Sequence, residues 1–357
     1  MEEKISLDDM AEMATVDLSD MLGVLEKFPS QVRDALGTGT SGPDLPPAAA
    51  PVNIAVLGMG GSGISGDVLA ALSAEKGLTV PVATVKGYSL PPFVGADSLV
   101  FAVSYSGNTE ETLDCLDQAL ERGARVIAVS SGGKLASTAR DRGLPLFEIP
   151  GGLQPRASLG YLFVPLLCAL ERMGMIEGAI SELESSVEML EHRRAEYGPE
   201  AELESNPAKR LARDLVGFMP VVYGAEGYLA VAASRWKAQF NEMAKVPSFC
   251  NYFPELNHNE TVGWQNLEDV CRRCHIVVLG EPALHPRTEK RVKITLDLLG
   301  GSVGHVTRVC ARGSNVVERF LDLVYFGDFA SVYLALALGQ DPTPVTRIED
   351  LKKRLAE

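Results

Sequence analysis

Two glycine-bearing segments hold side chains whose types and spacing suit one task, the holding of a compact anion. In NIAVLGMGGSGISGD, Asn53 to Asp67, an apolar run ends in Gly58-Met59-Gly60-Gly61-Ser62-Gly63, which fits G-x-G-x-x-G. Such a turn between strand and helix lets backbone N–H groups approach a phosphate at the helix N-terminus. Chains that bind NAD add an acidic residue at the end of the next strand for the ribose. Here that strand, VPVATVKGYSL, offers Lys86 instead, and the turn carries a hydroxyl, Ser62. The second segment, VFAVSYSGNTEETL, delivers Ser104, Ser106, Asn108 and Thr109 at the mouth of a helix. A helix cap needs only one of these groups. Three hydroxyls around Gly107 suit a dianionic phosphate, so Gly61, Ser62, Ser104, Ser106 and Thr109 are expected to bind one.

Loops of this kind must be presented by strands. Five short Val/Ile/Ala-rich runs, VNIAVLG, VPVATV, SLVFAVS, ARVIAVSS and PLFEIP, alternate with helical patterns such as TEETLDCLDQALERG, in which Leu113, Leu116 and Leu120 form a stripe. Continuous apolar runs imply strands covered on both faces, hence a parallel sheet flanked by helices. MPVVYGAEG, HIVVLGE and SVGHVTR restart the pattern. The expectation is two α/β domains in tandem: a helical segment and Gly/Pro/Ala linker over 1–51, a first domain over 52–196 and a second over 197–357. The linker itself is expected from Gly37 to Pro51.

Composition narrows the partners. Against 33 Lys+Arg the chain carries 47 Asp+Glu, a net charge of −14 over 357 residues, which argues against nucleic acid and anionic membrane surfaces. No basic and apolar leader opens the sequence, and DFASVYLALALGQ reads as a buried helix rather than a membrane span. A cytoplasmic protein is expected. Cys271, Cys274 and His275 form a C-x-x-C-H, yet the motif leads into an apolar run and reads as thiols at a strand edge rather than a haem attachment.

Taken as a set and in this order, GMGGSG, SYSGNTEET, PRASLGYLF, FNEMAK, NHNETVGW and DPTPVTRIEDLKKRL resemble the bifunctional phosphoglucose/phosphomannose isomerases, proteins built from sugar isomerase (SIS) domains. The resemblance implies two tandem flavodoxin-like SIS domains. It also implies an aldose–ketose isomerase that interconverts glucose 6-phosphate and mannose 6-phosphate with fructose 6-phosphate through a cis-enediol(ate), without metal or redox cofactor. Isomerisation needs a ring-opening acid/base, a base that moves a proton between C2 and C1, and stabilisation of the enediolate.

Glu242 occupies the family's base position, although periodicity alone makes it a solvated glutamate, off the stripe of Leu229, Ala233, Trp236, Phe240 and Met243. Glu260 is its rival, and Lys245 could be its salt-bridge partner. His258 stands in an irregular polar segment and can cycle between acid and base near neutrality; the resemblance makes it the ring-opening group, contributed to a neighbouring subunit in a homodimer. Pro155 and Arg156 follow a predicted strand, and Arg156 would face the enediolate. The tail contributes Lys352, with Lys353 one register away, and Thr343 matches a position tied to tolerance of both C2 epimers. Three other readings stay open: a non-catalytic sugar-phosphate sensor, an isomerase of a related sugar phosphate, and a nucleotide-dependent oxidoreductase.

Overall fold

The computed structural model describes residues 3–46 and 50–355. All five expected runs of the first half are strands: β1 (Asn53–Leu57), β2 (Val82–Val85), β3 (Ser98–Val103), β4 (Arg125–Ser130) and β5 (Leu146–Glu148). They form one parallel sheet in the order β2-β1-β3-β4-β5, with Ile54 opposite both Val82 and Leu99. Every residue of β1 and β3 is buried, as unbroken apolar runs covered on both faces require. The sheet order reverses between β1 and β3. In an open parallel sheet, ligands bind at the carboxyl ends of the two strands flanking such a reversal. Those ends are where the two glycine segments begin.

A second parallel sheet has the order β7-β6-β8-β9, built from β6 (Met219–Ala225), β7 (Phe249–Phe253), β8 (Cys274–Gly280) and β9 (His305–Cys310). Numbered from its own first strand this is 2-1-3-4, the order of the first sheet with one strand fewer. The sequence reading found β6, β8 and β9 and missed β7. That strand lies at the sheet edge, where Phe249 and Tyr252 are exposed, so neither alternation nor a buried run marks it.

The chain divides into two compact units, each assembled from separated segments. One comprises Lys27–Glu191 and Gly313–Leu321 and holds the first sheet; the other comprises residues up to Glu26, His192–Arg312 and Asp322 onward, and holds the second. The apolar helix Val316–Ala337 meets the length and hydropathy of a membrane span, but the qualifying window is entirely buried within the protein. It is a core helix, as expected.

The N-terminal segment forms helices Met10–Val16, Met21–Glu26 and Phe28–Ser41. The last corrects the expectation that a linker begins at Gly37. Helix continues through Gly37 and Gly39 because a Cβ at Gly39 would stand 2.7 Å from the Cys168 side chain. Glycine there allows close approach to the buried helix Leu159–Arg172, and tertiary packing outweighs its low helix propensity. Residues 47–49 of the expected linker lie outside the described residues.

Candidate active site

In the first unit the loops after β1, β3 and β4 converge. Ser62 lies in the first turn of helix Gly60–Glu75 and is buried, its Oγ accepting the Tyr105 N–H at 3.1 Å. Ser104 is fully buried; its Oγ accepts the Gly107 N–H at 3.1 Å and lies 2.9 Å from Thr109 Oγ1. Thr109 occupies the N-cap position of helix Glu110–Glu121, yet its side chain makes no capping bond. Capping therefore does not account for this hydroxyl. Ser106 is exposed, its Oγ accepting the Asn108 N–H at 3.3 Å. Gly107, at φ 67°, can have no side chain: a Cβ would lie 1.8 Å from the Gly132 carbonyl oxygen. The result is a preformed set of hydroxyls at two helix N-termini, a suitable cradle for a phosphate. Lys86 is ion-paired with Asp67.

Gly61 serves a second purpose. A Cβ there would approach the Pro155 carbonyl oxygen to 2.7 Å, so glycine allows the 3-10 turn Pro155–Ala157 to lie against the first loop. Pro155 is exposed, while Arg156 is 3% exposed. Two residues that the sequence reading missed hold this turn. Gln31, itself buried, donates from Nε2 to the Ala157 carbonyl at 2.9 Å and accepts the Gly160 N–H at 2.8 Å. Tyr105 accepts the Leu153 N–H on its hydroxyl at 2.8 Å, and its carbonyl accepts from Ser131 Oγ at 2.6 Å. Burial pushes the Tyr105 phenol above its ordinary range, so it stays a neutral hydrogen-bonding group. Tyr105 thus ties three loops together. A tyrosine between two serines carries no sign of that in sequence.

In the second unit Glu242 is the last residue of helix Tyr228–Glu242. A helix that follows a parallel strand returns to the strand's beginning, so Glu242 belongs to the amino edge of the sheet. It is half-buried and lines a cavity of about 470 Å³ with Asn241, Lys245, Gln340 and residues 344–348. Lys245, at φ 57°, turns the chain out of the helix. Its ammonium donates to the carbonyls of Glu242 (2.9 Å), Met243 (3.1 Å), Asp341 (2.9 Å) and Pro342 (2.9 Å). The expected surface partner is therefore a clamp between the helix end and the Asp341–Pro342 segment. Thr343 adjoins that segment, its N–H donating to Asp341 Oδ1 at 2.9 Å.

Glu260, the rival base, has both oxygens occupied: Tyr223 O–H donates to Oε1 and Asn251 Nδ2 to Oε2 at 2.5 Å. A carboxylate held this way fixes the start of the Glu260–Gly263 turn. His258 ends the 3-10 turn Glu255–His258; it is exposed and outside the lining of the Glu242 cavity. Lys352 is exposed on helix Thr346–Leu355, none of whose residues is buried, and Lys353 is exposed beside it. Within the second unit, then, the structure gathers Glu242, Lys245 and the residues that lead into the tail helix. It does not bring His258 or Lys352 to that cavity.

C-x-x-C-H proves structural. Among the described residues all six cysteines are free, and His275 is buried, its ring nitrogens bonded to the Asp214 carbonyl (3.2 Å) and Thr307 Oγ1 (2.8 Å).

Residues 49–144 match the family model described as the SIS domain, and residues 204–355 match the bacterial phospho-glucose isomerase C-terminal SIS domain. The chain is 42% identical to the bifunctional phosphoglucose/phosphomannose isomerase of Caldicellulosiruptor bescii, over 85% of this chain and 89% of that protein. It is 37% identical to the protein of that name from Thermoplasma acidophilum, over 85% and 90%. Among solved structures, a glucose-6-phosphate isomerase like protein from Thermus thermophilus matches with a TM-score of 0.64 at 23% identity, covering 96% of this chain and 98% of that one. At that identity the likeness speaks for the fold.

Proposed function

The chain belongs to the bifunctional phosphoglucose/phosphomannose isomerase family, and on that premise we propose that it interconverts glucose 6-phosphate and mannose 6-phosphate with fructose 6-phosphate. The observation that carries the reading is the hydroxyl set of Ser62, Ser104 and Thr109, preformed at the carboxyl ends of β1 and β3. A nicotinamide cofactor is disfavoured because the second strand ends in Lys86, paired with Asp67, where a ribose-binding carboxylate is needed.

Ser62, Ser104, Ser106 and Thr109 hold the 6-phosphate, and the binding energy gained there positions the distant C1 and C2. His258 and Lys352 open the ring, with the proton leaving the C1 hydroxyl and arriving on the ring oxygen. Glu242 removes the C2 proton of the open aldose, giving a cis-enediol(ate) whose oxygens face Arg156. Glu242 then delivers a proton to C1, the same one or one exchanged with solvent on the carboxyl, and the ketose results. Rotation about C2–C3 presents either enediol face to the one base, which accounts for two epimeric aldoses, with Thr343 contributing room. No metal or redox group enters these steps. In sequence terms, residues 52–196 are the first SIS domain, with the phosphate-binding loops, and residues 197–357 the second, with Glu242, His258 and Lys352.

We assign His258 to the site of a second subunit in a homodimer. Support comes from exposed apolar residues in the sequence segment that contains it: Val262 and Leu267 are 65% and 75% exposed, and Phe249, Tyr252 and Val270 are exposed as well. Exposed aliphatic and aromatic residues concentrated in one short segment support an association face there. A cytoplasmic location agrees with six free thiols.

The enediol step is tested by incubating protein and fructose 6-phosphate in D₂O. Deuterium at C1 of the ketose and C2 of the aldoses is expected. Turnover with no solvent deuterium at either carbon, even after many passages through equilibrium, would favour direct hydride shift and remove Glu242 from its role.

A further inference from the structure

The helix Pro286–Leu299 distributes its charge unevenly. On one side Glu289 pairs with Lys293 and with Arg308 of β9, the arginine through two bonds at 3.1 and 2.8 Å. On another, Arg287, Lys290 and Arg291 line a cavity of about 350 Å³ together with Ile294, Leu298, Asn257, Thr261 and Thr295. No carboxylate lines this cavity, and among the described residues none forms an ion pair with the three cations. At spacings of three and four residues on one helix these charges repel one another. On a chain of net charge −14, three uncompensated cations around one concavity stand out.

Part of the lining is polar and uncharged. Asn257 Nδ2 donates to Thr295 Oγ1 at 2.7 Å, while Asn257 Oδ1 is buried with no partner among the described residues. The next turns of the helix bring Ile294 and Leu298, 48% and 67% exposed. Two guanidinium groups and an ammonium suit a phosphoryl group, and the guanidinium groups can bind it bidentately. Adjacent threonine hydroxyls can add hydrogen bonds, and an aliphatic wall favours a carbon skeleton over a bare ion. The volume falls at the lower end of small-molecule sites.

We propose that this cavity binds a small phosphorylated metabolite at a site separate from the hydroxyl cradle of Ser62 and Ser104. The phosphoryl group lies among Arg287, Lys290 and Arg291, and the organic part lies against Ile294 and Leu298. Because Asn257 precedes His258 and is bonded to Thr295, occupancy is felt at the Glu255–His258 turn.

The test is calorimetric titration of the full-length protein with phenyl phosphate, a dianion with an apolar body, in saturating fructose 6-phosphate at isomerisation equilibrium. One phenyl phosphate per chain is expected, binding more tightly than inorganic phosphate. Affinity should drop at least tenfold in R287A/R291A and stay unchanged in S104A. The His258 ring signals in NMR should shift on titration in the wild type and in S104A, and not in R287A/R291A. Lys290→Ala gives a second reading should the double variant fail to fold. Absence of binding in the wild type, unaltered affinity in the cation variants, or loss of the heat in S104A would each overturn the proposal. So would a changed sedimentation coefficient of R287A/R291A with phenyl phosphate affinity intact, since the cations would then serve assembly.

Discussion

The Tyr105 backbone N–H donates to Ser62 Oγ at 3.1 Å, joining positions 43 residues apart. The first and second glycine loops are thereby fixed to each other in the free protein, and a phosphate need not organise them on arrival.

Ser62→Ala breaks that link and removes a hydroxyl from the cradle. A hydrogen bond to a charged group contributes roughly 1.5–3 kcal/mol, so KM for fructose 6-phosphate should rise on the order of tenfold to a hundredfold. Steady-state kinetics decide the matter; a KM equal to that of the wild type would remove Ser62 from phosphate binding.

Two glutamates are separated by what touches them. Loss of a general base costs about 10²- to 10⁴-fold in rate, so Glu242→Gln should lower kcat by that order with KM little altered. Glu260→Gln disturbs the bonds to Tyr223 and Asn251 and should appear as lost stability, roughly 1–3 kcal/mol, with kcat within a few-fold of the wild type. Denaturant unfolding alongside kinetics distinguishes the two. The opposite pattern would exchange their roles.

Subunit complementation tests the assignment of His258. Glu242→Gln and His258→Asn homodimers should each be nearly inactive. Mixed and allowed to exchange subunits, they form heterodimers in which one site has both groups intact and the other has neither. Activity should reappear in the mixture; a mixture that stays as inactive as its components would mean that His258 serves its own chain or none.

Burial holds the His275 imidazole below its usual range, a neighbouring His305 adds to the effect, and the bond to the Asp214 carbonyl opposes it. In the unfolded chain the residue titrates near pH 6.5. Between that pH and its lower folded value, the unfolded chain binds a proton that the folded chain does not. Stability is therefore fully present above pH 6.5 and falls as the pH drops towards the folded value, by up to about 1.4 kcal/mol per pH unit. Thermal unfolding between pH 7.5 and 5 should show this slope, and His275→Gln should flatten it. Equal slopes in the two proteins would show that another group titrates.

Much of the fold was readable because buried parallel strands announce themselves: β1, β3, β4 and β8 are apolar runs bounded by glycine or by polar turns. β7 was not, since an edge strand with exposed aromatics has no period of its own. The two glycine loops were legible for a related reason. Ser104 and Thr109 lie five residues apart in one loop and meet there, and Ser62 sits in a strand-to-helix turn that the glycine pattern marks; that the two loops meet shows only in the structure. Arg156 and Glu242 depend on partners far away in sequence. Gln31 reaches the Pro155–Ala157 turn across 126 residues, and Lys245 reaches Pro342 across 97. No local pattern encodes such contacts. Likewise, residue type and spacing alone do not distinguish Glu260 from Glu242; the bonds from Tyr223 and Asn251 and the cavity that Glu242 lines do.

The most direct measurement is NMR of the products formed from fructose 6-phosphate by the purified protein in EDTA. Appearance of both glucose 6-phosphate and mannose 6-phosphate is the predicted result, and it would need neither metal nor nucleotide. Unchanged fructose 6-phosphate in the presence of tight sugar-phosphate binding would contradict the account and make the protein a sensor.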